Sequence, residues 1–282
     1  MKLSVMLFPF HKQLTDGTLK PKAAVEGFKS AGIRAIEPMM SWVEAEPQKW
    51  ETFFKTASDA GMVWSCYDIG VNLIGENEVD RTEALVKVDR GVEFCKEKLR
   101  CSVVLLAGTK PAANMTEEDG RKLYGAQLAK AHERTKGSGV TITIEDFGVY
   151  PPFTAGGQHC LEVLEACNCP AIKFTFDNGN FLFAADTPTA VYDLFKGRIA
   201  HVHIKDFALR APDDQPRLTS LSGKQYKGCY IGEGEAEVAE TLRLLKADAY
   251  PGWISLEVGG SRDPLDDALR GAKVVKQAWG KG

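Results

Sequence analysis

The 282-residue sequence lacks several features that would mark particular classes of protein. Its seven cysteines are scattered, and no pair has the C-x-x-C spacing of a zinc site or a thiol redox motif. No apolar run is long enough to span a bilayer, and none has the pattern of a cleaved export signal. A formal net charge of -3 gives no electrostatic basis for binding nucleic acid or a membrane. We therefore expect a cytoplasmic protein with reduced, mostly buried thiols and no nucleic-acid or membrane partner.

The sequence also lacks the glycine-rich loop that binds phosphate in open doubly wound sheets. Two glycine pairs, at 156–157 and 259–260, stand alone without the fingerprint spacing. The composition is nevertheless that of a soluble globular protein, with 44% hydrophobic and 26% charged residues. The chain therefore has ample material for a core, but no dinucleotide-binding signature.

Predicted strands and helices alternate along the whole chain. The strands are predicted at 3–8, 33–37, 62–67, 101–106, 140–145, 171–177, 199–204 and 253–257. The helices are predicted at 21–31, 47–60, 78–99, 116–136, 158–167, 187–195, 235–245 and 264–279. Eight strand–helix units in a chain of this length predict the α/β class and a closed (β/α)8 TIM barrel. Without a linker or repeat, residues 1–282 are expected to form one domain.

The last four predicted strands end in the same way. Their motifs are T-I-T-I-E, K-F-T-F-D, H-V-H and S-L-E, in which apolar and polar residues alternate with the period of two of a strand. The polar side of each motif ends in a metal-ligand type: Glu145, Asp177, His203 and Glu257. The carboxyl ends of barrel strands meet at one mouth, where the active sites of this fold lie. We therefore expect these four side chains to bind a single ion.

Three carboxylates and one imidazole form an oxygen-rich set of donors. Such a set suits one divalent metal ion, with Mn²⁺ expected first and Mg²⁺, Co²⁺ or Zn²⁺ as alternatives. The ion would polarise a carbonyl and stabilise the enediolate formed when the adjacent carbon loses a proton. Glu145 and Glu257 are predicted to remove and deliver protons, and Lys205 to hold or protonate a substrate oxygen.

Other residues near strand ends allow two interpretations each. Glu37 ends the second strand on the inward side, either as a substrate contact or as part of a simple turn before Pro38. Trp42 could form a wall of the substrate pocket or pack in the core. His201 is expected to be a hydrogen-bonded interior residue, and Asp206 either a loop carboxylate or a partner of Lys205.

Five motifs give the chain a family resemblance. I-E-D-F at 144–147, F-D-N-G-N at 176–180, H-V-H-I-K-D at 201–206, I-G-E-G-E at 231–235 and I-S-L-E at 254–257 resemble those of the xylose-isomerase-like TIM-barrel superfamily. This group contains sugar isomerases, 3-epimerases, hydroxypyruvate isomerases, inosose dehydratases and endonuclease IV.

The resemblance implies the same metal ligands, with the two metal-bound glutamates as the acid–base pair. It also implies that Glu233 contributes to the pocket and that position 180 contacts the substrate. Asn180 stands there in place of a histidine found in many ketose 3-epimerases and in the three-metal endonucleases. This difference argues against DNA repair and against a free-ketose substrate. The long segment 207–230 is expected to cover the mouth and to limit substrate size.

These observations predict a metal-dependent isomerase or epimerase of a sugar or related keto-polyol. The alternative is a dehydratase or lyase, similar to inosose dehydratase or acting on keto-glycosides, because both reactions share the first proton abstraction. A second alternative is a barrel without catalysis that binds sugars or a partner protein. Homo-oligomers are common in the family, so self-association is a further expectation.

Overall fold

Parallel strands form the centre of the molecule in a computed structural model, which describes residues 1–211, 214 and 218–281. The strands are β1 Lys2–Met6, β2 Ala35–Glu37, β3 Val63–Trp64, β4 Tyr67–Gly70, β5 Val103–Ala107, β6 Thr141–Glu145, β7 Lys173–Asp177, β8 Ile199–Ile204, β9 Phe207–Leu209, β10 Leu218–Thr219, β11 Gln225–Gly228 and β12 Trp253–Leu256. Nine of them pair in the order β3-β2-β1-β12-β8-β7-β6-β5-β4, and every pair is parallel. The predicted TIM barrel is confirmed.

The helices lie between the barrel strands along the chain. They are α1 His11–Asp16, α2 Pro21–Ser30, α3 Met40–Ala45, α4 Pro47–Asp59, α5 Glu78–Phe94, α6 Glu117–Thr135, α7 Gly157–Cys167, α8 Pro188–Phe195, α9 Val238–Ala247 and α10 Pro264–Lys281. Thr116 caps α6 as predicted, because its hydroxyl oxygen accepts a hydrogen bond from the Asp119 backbone N–H. Within the described residues, no helix is both long and apolar enough to cross a membrane.

The third predicted strand is divided in two. β3 pairs with β2, whereas β4 pairs with β5, so one chain segment connects the two edges of the sheet and nearly closes the barrel. The prediction ended this strand at Tyr67, but β4 continues to Gly70. Asp68 is therefore part of a barrel strand and not of the loop that follows it.

The alternation of side chains separates the core from the barrel interior. Outward-facing phenylalanines pack beneath the helices; Phe174 stacks on Phe195 with ring centroids 3.9 Å apart. The inward-facing residues of β6 and β7 are polar, and the Thr143 and Thr175 hydroxyl oxygens lie 2.7 Å apart in a buried hydrogen bond. Burying the apolar side of each strand against helices fixes the strand register, and the same register sends polar strand ends to the mouth.

The segment 207–230 is more structured than expected. β9, β10 and β11 form a small antiparallel sheet, and Phe207, Leu218 and Gly228 line the cavity at the barrel mouth. Residues 212, 213 and 215–217 of the predicted loop lie outside the described part of the chain. The cysteines, in contrast, are as expected: all seven are free and five are buried.

Candidate active site

The four predicted ligands lie at the ends of four neighbouring strands. Glu145 ends β6, Asp177 ends β7, His203 lies near the end of β8, and Glu257 directly follows β12. β7 and β8 pair with Asp177 opposite His203. The register of the sheet thus brings together residues that are up to 112 positions apart in sequence (257 − 145).

His203 Nδ1 faces all three carboxylates. It lies 3.5 Å from Glu145 Oε2, 3.7 Å from Asp177 Oδ2 and 3.7 Å from Glu257 Oε2. Nδ1 is buried and has no hydrogen-bond partner among the described residues. Around one ion, metal–ligand distances of about 2.0–2.2 Å at roughly tetrahedral or octahedral angles separate neighbouring donor atoms by about 3.0–3.5 Å. The donor atoms of Glu145, Asp177 and His203 all lie within 4.8 Å of one another and therefore fit a divalent metal ion after small side-chain movements, whereas Glu257 lies outside this group of three.

Glu37 fixes the orientation of the histidine ring. Its two carboxylate oxygens each lie 2.9 Å from an imidazole Nε2, one of His203 and the other of His201. All three side chains are fully buried. An ionised carboxylate can only accept hydrogen bonds, so Nε2 of each of these two histidines carries a proton. Nδ1 of His203 is then the ring nitrogen directed at the carboxylates of Glu145, Asp177 and Glu257.

The carboxylates around His203 favour a positive charge at this place in the barrel. Burial alone would lower the pKa of the imidazole, but the carboxylates of Glu37, Asp177 and Glu145 outweigh burial and raise the pKa well above its usual value. For the carboxyl group of Glu145, which lies among other acids, burial raises the pKa. Such a concentration of buried negative charge is characteristic of metal and catalytic sites.

The loop after β7 holds Asp177 in place. Its Oδ1 atom accepts hydrogen bonds from the backbone N–H groups of Gly179 and Asn180 at 2.9 and 3.2 Å. This leaves Oδ2 directed at His203 and Lys205. Gly179 also gives Lys205 room, because a Cβ at position 179 would lie 2.6 Å from Lys205 Cγ. The F-D-N-G-N motif thus positions both the Asp177 carboxylate and the Lys205 ammonium group.

Lys205 bridges two of the carboxylates. Its Nζ atom lies 2.8 Å from Asp177 Oδ2 and 2.9 Å from Glu257 Oε2. Burial would lower the pKa of this ammonium group, but the two carboxylates outweigh it and raise the pKa. Lys205 is therefore charged at neutral pH and lies at the edge of the cavity.

A cavity of about 380 Å³ opens above these residues. This volume lies within the range of about 300–1,000 Å³ that is usual for small-molecule sites. Glu145, Lys205, Glu257 and Asn180 contribute polar groups to it, while methionine, leucine and phenylalanine side chains form much of the wall. The arrangement suits a small polar substrate with one reactive end at the carboxylates.

The other predicted substrate contacts are placed differently. Glu37 has no exposed surface and both of its oxygens are used by histidines, so it acts beneath the site and not as a substrate contact. Trp42 does not line the cavity; it stacks on Phe8, with ring centroids 5.6 Å apart, and Phe8 does line it. Glu233 is exposed and also lies outside the cavity wall.

Asp206 proves to be a structural anchor rather than a partner of Lys205. Its carboxylate accepts hydrogen bonds from the backbone N–H groups of Phe207, Gly232, Gly234 and Ala236, all between 2.9 and 3.0 Å. These contacts tie the loop before α9 to the barrel. They also explain why α9 begins at Val238 and not at Glu235 as predicted.

Asp68 is an acidic residue of the cavity that the sequence analysis does not predict. The Y-D-I-G motif of β4 alternates polar and apolar positions in the same way as the later strands, so extending the third strand by three residues would have revealed it. Asp68 is 1% exposed and lines the cavity.

A comparison with protein families agrees with the fold. The sequence profile of the xylose isomerase-like TIM barrel family matches residues 25–278. Among curated proteins, the inosose dehydratase of Clostridium beijerinckii is 24% identical over 115 residues. That match spans 39% of this chain and 39% of the relative, so it covers well under half of either protein.

Solved structures are similar over nearly the whole chain. The IOLI protein with a bound zinc atom superimposes with a TM-score of 0.75 at 17% identity, covering 100% of this chain and 99% of that one. The D-psicose 3-epimerase of Clostridium cellulolyticum H10, solved with D-tagatose, gives a TM-score of 0.69 at 12% identity, again covering 100% and 99%. At these identities the similarity establishes the fold alone.

Proposed function

The chain belongs to the xylose isomerase-like TIM-barrel family, and we propose that it is a divalent-metal-dependent isomerase or epimerase of a sugar or related keto-polyol. The observation that carries this proposal is His203 Nδ1, which is unpartnered among the described residues and faces three carboxylate oxygens at 3.5–3.7 Å. The metal ligands proposed are Glu145, Asp177, His203 and Glu257. We propose Mn²⁺ as the preferred ion, because three of the four donors are carboxylates.

When bound, the ion supplies a Lewis acid that polarises a substrate carbonyl and favours loss of a proton from the adjacent carbon. The proton transfers fall to Glu145 and Glu257. Both line the cavity, and their strands β6 and β12 flank β7 and β8, so the two carboxylates approach a substrate from different sides. One glutamate, as the carboxylate, removes the proton, and the other, as the carboxylic acid, donates one. Donation to the opposite face of the same carbon gives an epimer, and donation to the former carbonyl carbon gives an isomer.

Lys205 is proposed to hold the substrate oxygen next to the reacting carbon. Its ammonium group is charged and lies between Asp177 and Glu257 at the cavity edge. A charged donor in a buried site stabilises developing negative charge on oxygen. Asn180, which is 6% exposed and lines the cavity, is proposed as a second polar contact for the substrate.

A dehydratase or lyase is the second candidate, and the position of Lys205 favours it. After the same proton abstraction, a hydroxyl on the next carbon can leave as water if an acid protonates it. Lys205 Nζ, 2.9 Å from Glu257 Oε2, lies next to the proposed base and can supply that proton. The two candidate reactions therefore differ only in the second step.

Proton NMR in D₂O tests the proposal. Protein loaded with Mn²⁺ or Mg²⁺ is incubated with ketoses, keto-polyols and hydroxypyruvate, and paramagnetic ions are removed before each spectrum. We expect deuterium at a carbon beside the carbonyl, and loss of this exchange in Glu145→Gln and Glu257→Gln. An epimer or isomer as product supports the first candidate, and a dehydrated product supports the second. Metal-loaded protein that exchanges no proton in any of these compounds would contradict the proposed isomerase or epimerase.

A further inference from the structure

The cavity at the barrel mouth has two chemically different halves. The described residues that line it include six acidic, basic or amide side chains, and five of these lie at or just after the ends of the neighbouring strands β6, β7, β8 and β12. The five are Glu145, Asn180, Lys205, Asp206 and Glu257. The ends of β1, β2, β4 and β5 form the opposite wall. We call this wall the apolar half, and its members are Met6, Phe8, Met39, Gly70, Leu105 and Ala107.

The apolar half offers a substrate few hydrogen-bonding groups. Asp68 is the one polar side chain on this side among the described residues that line the cavity, and it is 1% exposed and hydrogen-bonded to Glu37. The backbone carbonyls of Gly70 and Ala107 already accept hydrogen bonds, one from a lysine ammonium group and the other from a backbone N–H, each at 2.8 Å. A hydroxyl group buried against this wall would therefore lose its water partners without replacing them, which is unfavourable.

The same wall presents large apolar side chains to a ligand. Phe8 is 45% exposed although it lines the cavity, and its ring stacks on Trp42 with centroids 5.6 Å apart, so the ring is supported from behind. Val149 is 50% exposed and lies in the loop after β6, the strand next to β5, so it continues the apolar wall. Removing such surface from water favours the binding of an apolar group.

We propose that the substrate carries an apolar substituent, an aryl or alkyl group, which packs against Phe8, Met39 and Leu105 while its hydroxy-carbonyl end lies at the carboxylates. A free polyol chain is the poorer ligand, because its distant hydroxyl groups meet the apolar half. The inference rests on the proposed function, since it requires the reactive carbonyl to lie at the proposed metal ligands. It narrows the substrate class to hydroxy-ketones or keto-sugars that bear an apolar group.

The test compares three hydroxymethyl ketones that differ only in the group attached to the carbonyl. L-erythrulose has a two-carbon chain with two hydroxyl groups, 1-hydroxybutan-2-one has the same chain without them, and 2-hydroxyacetophenone has a phenyl ring. Saturation-transfer NMR titrations give the Kd of each for Mg²⁺-loaded and metal-free protein. We expect 2-hydroxyacetophenone to bind at least about tenfold more tightly than 1-hydroxybutan-2-one. We also expect 1-hydroxybutan-2-one to bind at least as tightly as L-erythrulose.

Phe8→Ser removes an aromatic ring from the apolar half and leaves the carboxylates in place. It should weaken the binding of 2-hydroxyacetophenone about tenfold and change that of L-erythrulose by less than about twofold. Phe8→Leu keeps an apolar side chain and should restore most of the affinity. Val86→Ser is the matched control, because Val86 is also an exposed apolar residue but lies on α5 away from the cavity. It should leave all three affinities unchanged.

The outcomes separate this inference from the proposed function. Tighter binding of L-erythrulose than of 1-hydroxybutan-2-one, or an unchanged affinity of Phe8→Ser for 2-hydroxyacetophenone, would refute the apolar half as a substrate site alone. A phenyl preference that is equally strong with and without Mg²⁺ would support the apolar half and contradict the metal-dependent function. Binding of none of the three compounds, in protein shown to hold its metal, would refute both.

Discussion

Glu37 Oε1 and His203 Nε2 lie 2.9 Å apart inside the barrel, although β2 and β8 are not neighbouring strands. The contact reaches across the interior and is shielded from water, since neither side chain has any exposed surface. It fixes which nitrogen of the ring is available to a ligand. The proposed metal site thus depends on a residue that contacts neither metal nor substrate.

Glu37→Gln should weaken Mn²⁺ binding by about 10–100-fold, as measured by isothermal titration calorimetry. A glutamine oxygen can accept from one histidine, but its amide N–H would oppose the N–H of the other. Nitrogen-15 NMR of the imidazoles should show a change of tautomer at His203. Glu133→Gln, an exposed change on α6, is the control and should leave the affinity unchanged. Unaltered affinity in Glu37→Gln would show that Glu37 does not position the ligand.

Metal removal should lower the thermal stability of the wild-type protein. An ion that binds only the native state stabilises it by about 2.7 kcal/mol at a free concentration one hundred times the Kd. Asp177→Asn keeps the oxygen that accepts from Gly179 and Asn180 but loses the charge, so its Tm should no longer respond to Mn²⁺ or EDTA. Differential scanning calorimetry with and without EDTA checks this, and an equal response in both proteins would exclude Asp177 as a ligand.

Lys205→Met should reduce turnover by at least about 100-fold, because a charged donor at the reacting oxygen is lost. Metal stoichiometry, measured by atomic emission, should stay at one ion per chain. Lys205→Arg is the matched variant that keeps the charge, and it should remain impaired because a planar guanidinium cannot reproduce the compact ammonium group that lies between Asp177 and Glu257. Turnover of Lys205→Met within a factor of two of wild type would remove Lys205 from the mechanism.

Asp206→Ala should destabilise the protein by about 2–4 kcal/mol in urea denaturation, since four backbone N–H groups lose their acceptor. Limited proteolysis should become faster in residues 229–236. Asp206→Asn retains one acceptor oxygen and should show an intermediate loss. If Asp206→Ala were as stable as wild type, the anchoring role assigned to Asp206 would be wrong.

The period of two in the last four strands was sufficient to predict which residues meet at the mouth. Asp177 and His203 end up opposite each other because the same alternation that buries Phe176 and Val202 directs them inward. This part of the site is encoded locally, strand by strand. The barrel closure then converts four separate strand ends into one cluster.

The parts that could not be predicted depend on long-range contacts. Glu37 was placed on the inward side, but its partners are 164 and 166 positions away, and nothing near Glu37 in sequence indicates them. α9 begins later than the predicted Glu235 because Asp206, from a distant loop, holds residues 232–236 out of the helix. Asp68 lies outside the predicted strand for a different reason, because β4 extends past the apolar run that defines this strand in the sequence.

The most direct test of the metal site is a crystal structure of the Mn²⁺-soaked protein with anomalous data collected at the manganese edge. We predict one anomalous peak per chain, about 2.0–2.3 Å from His203 Nδ1 and from carboxylate oxygens of Glu145, Asp177 and Glu257. A peak elsewhere, such as among Glu37, Cys66 and His201, whose donor atoms also lie within 4.8 Å of one another, would contradict the ligand assignment. The absence of any peak at saturating Mn²⁺ would contradict the metal-dependent function.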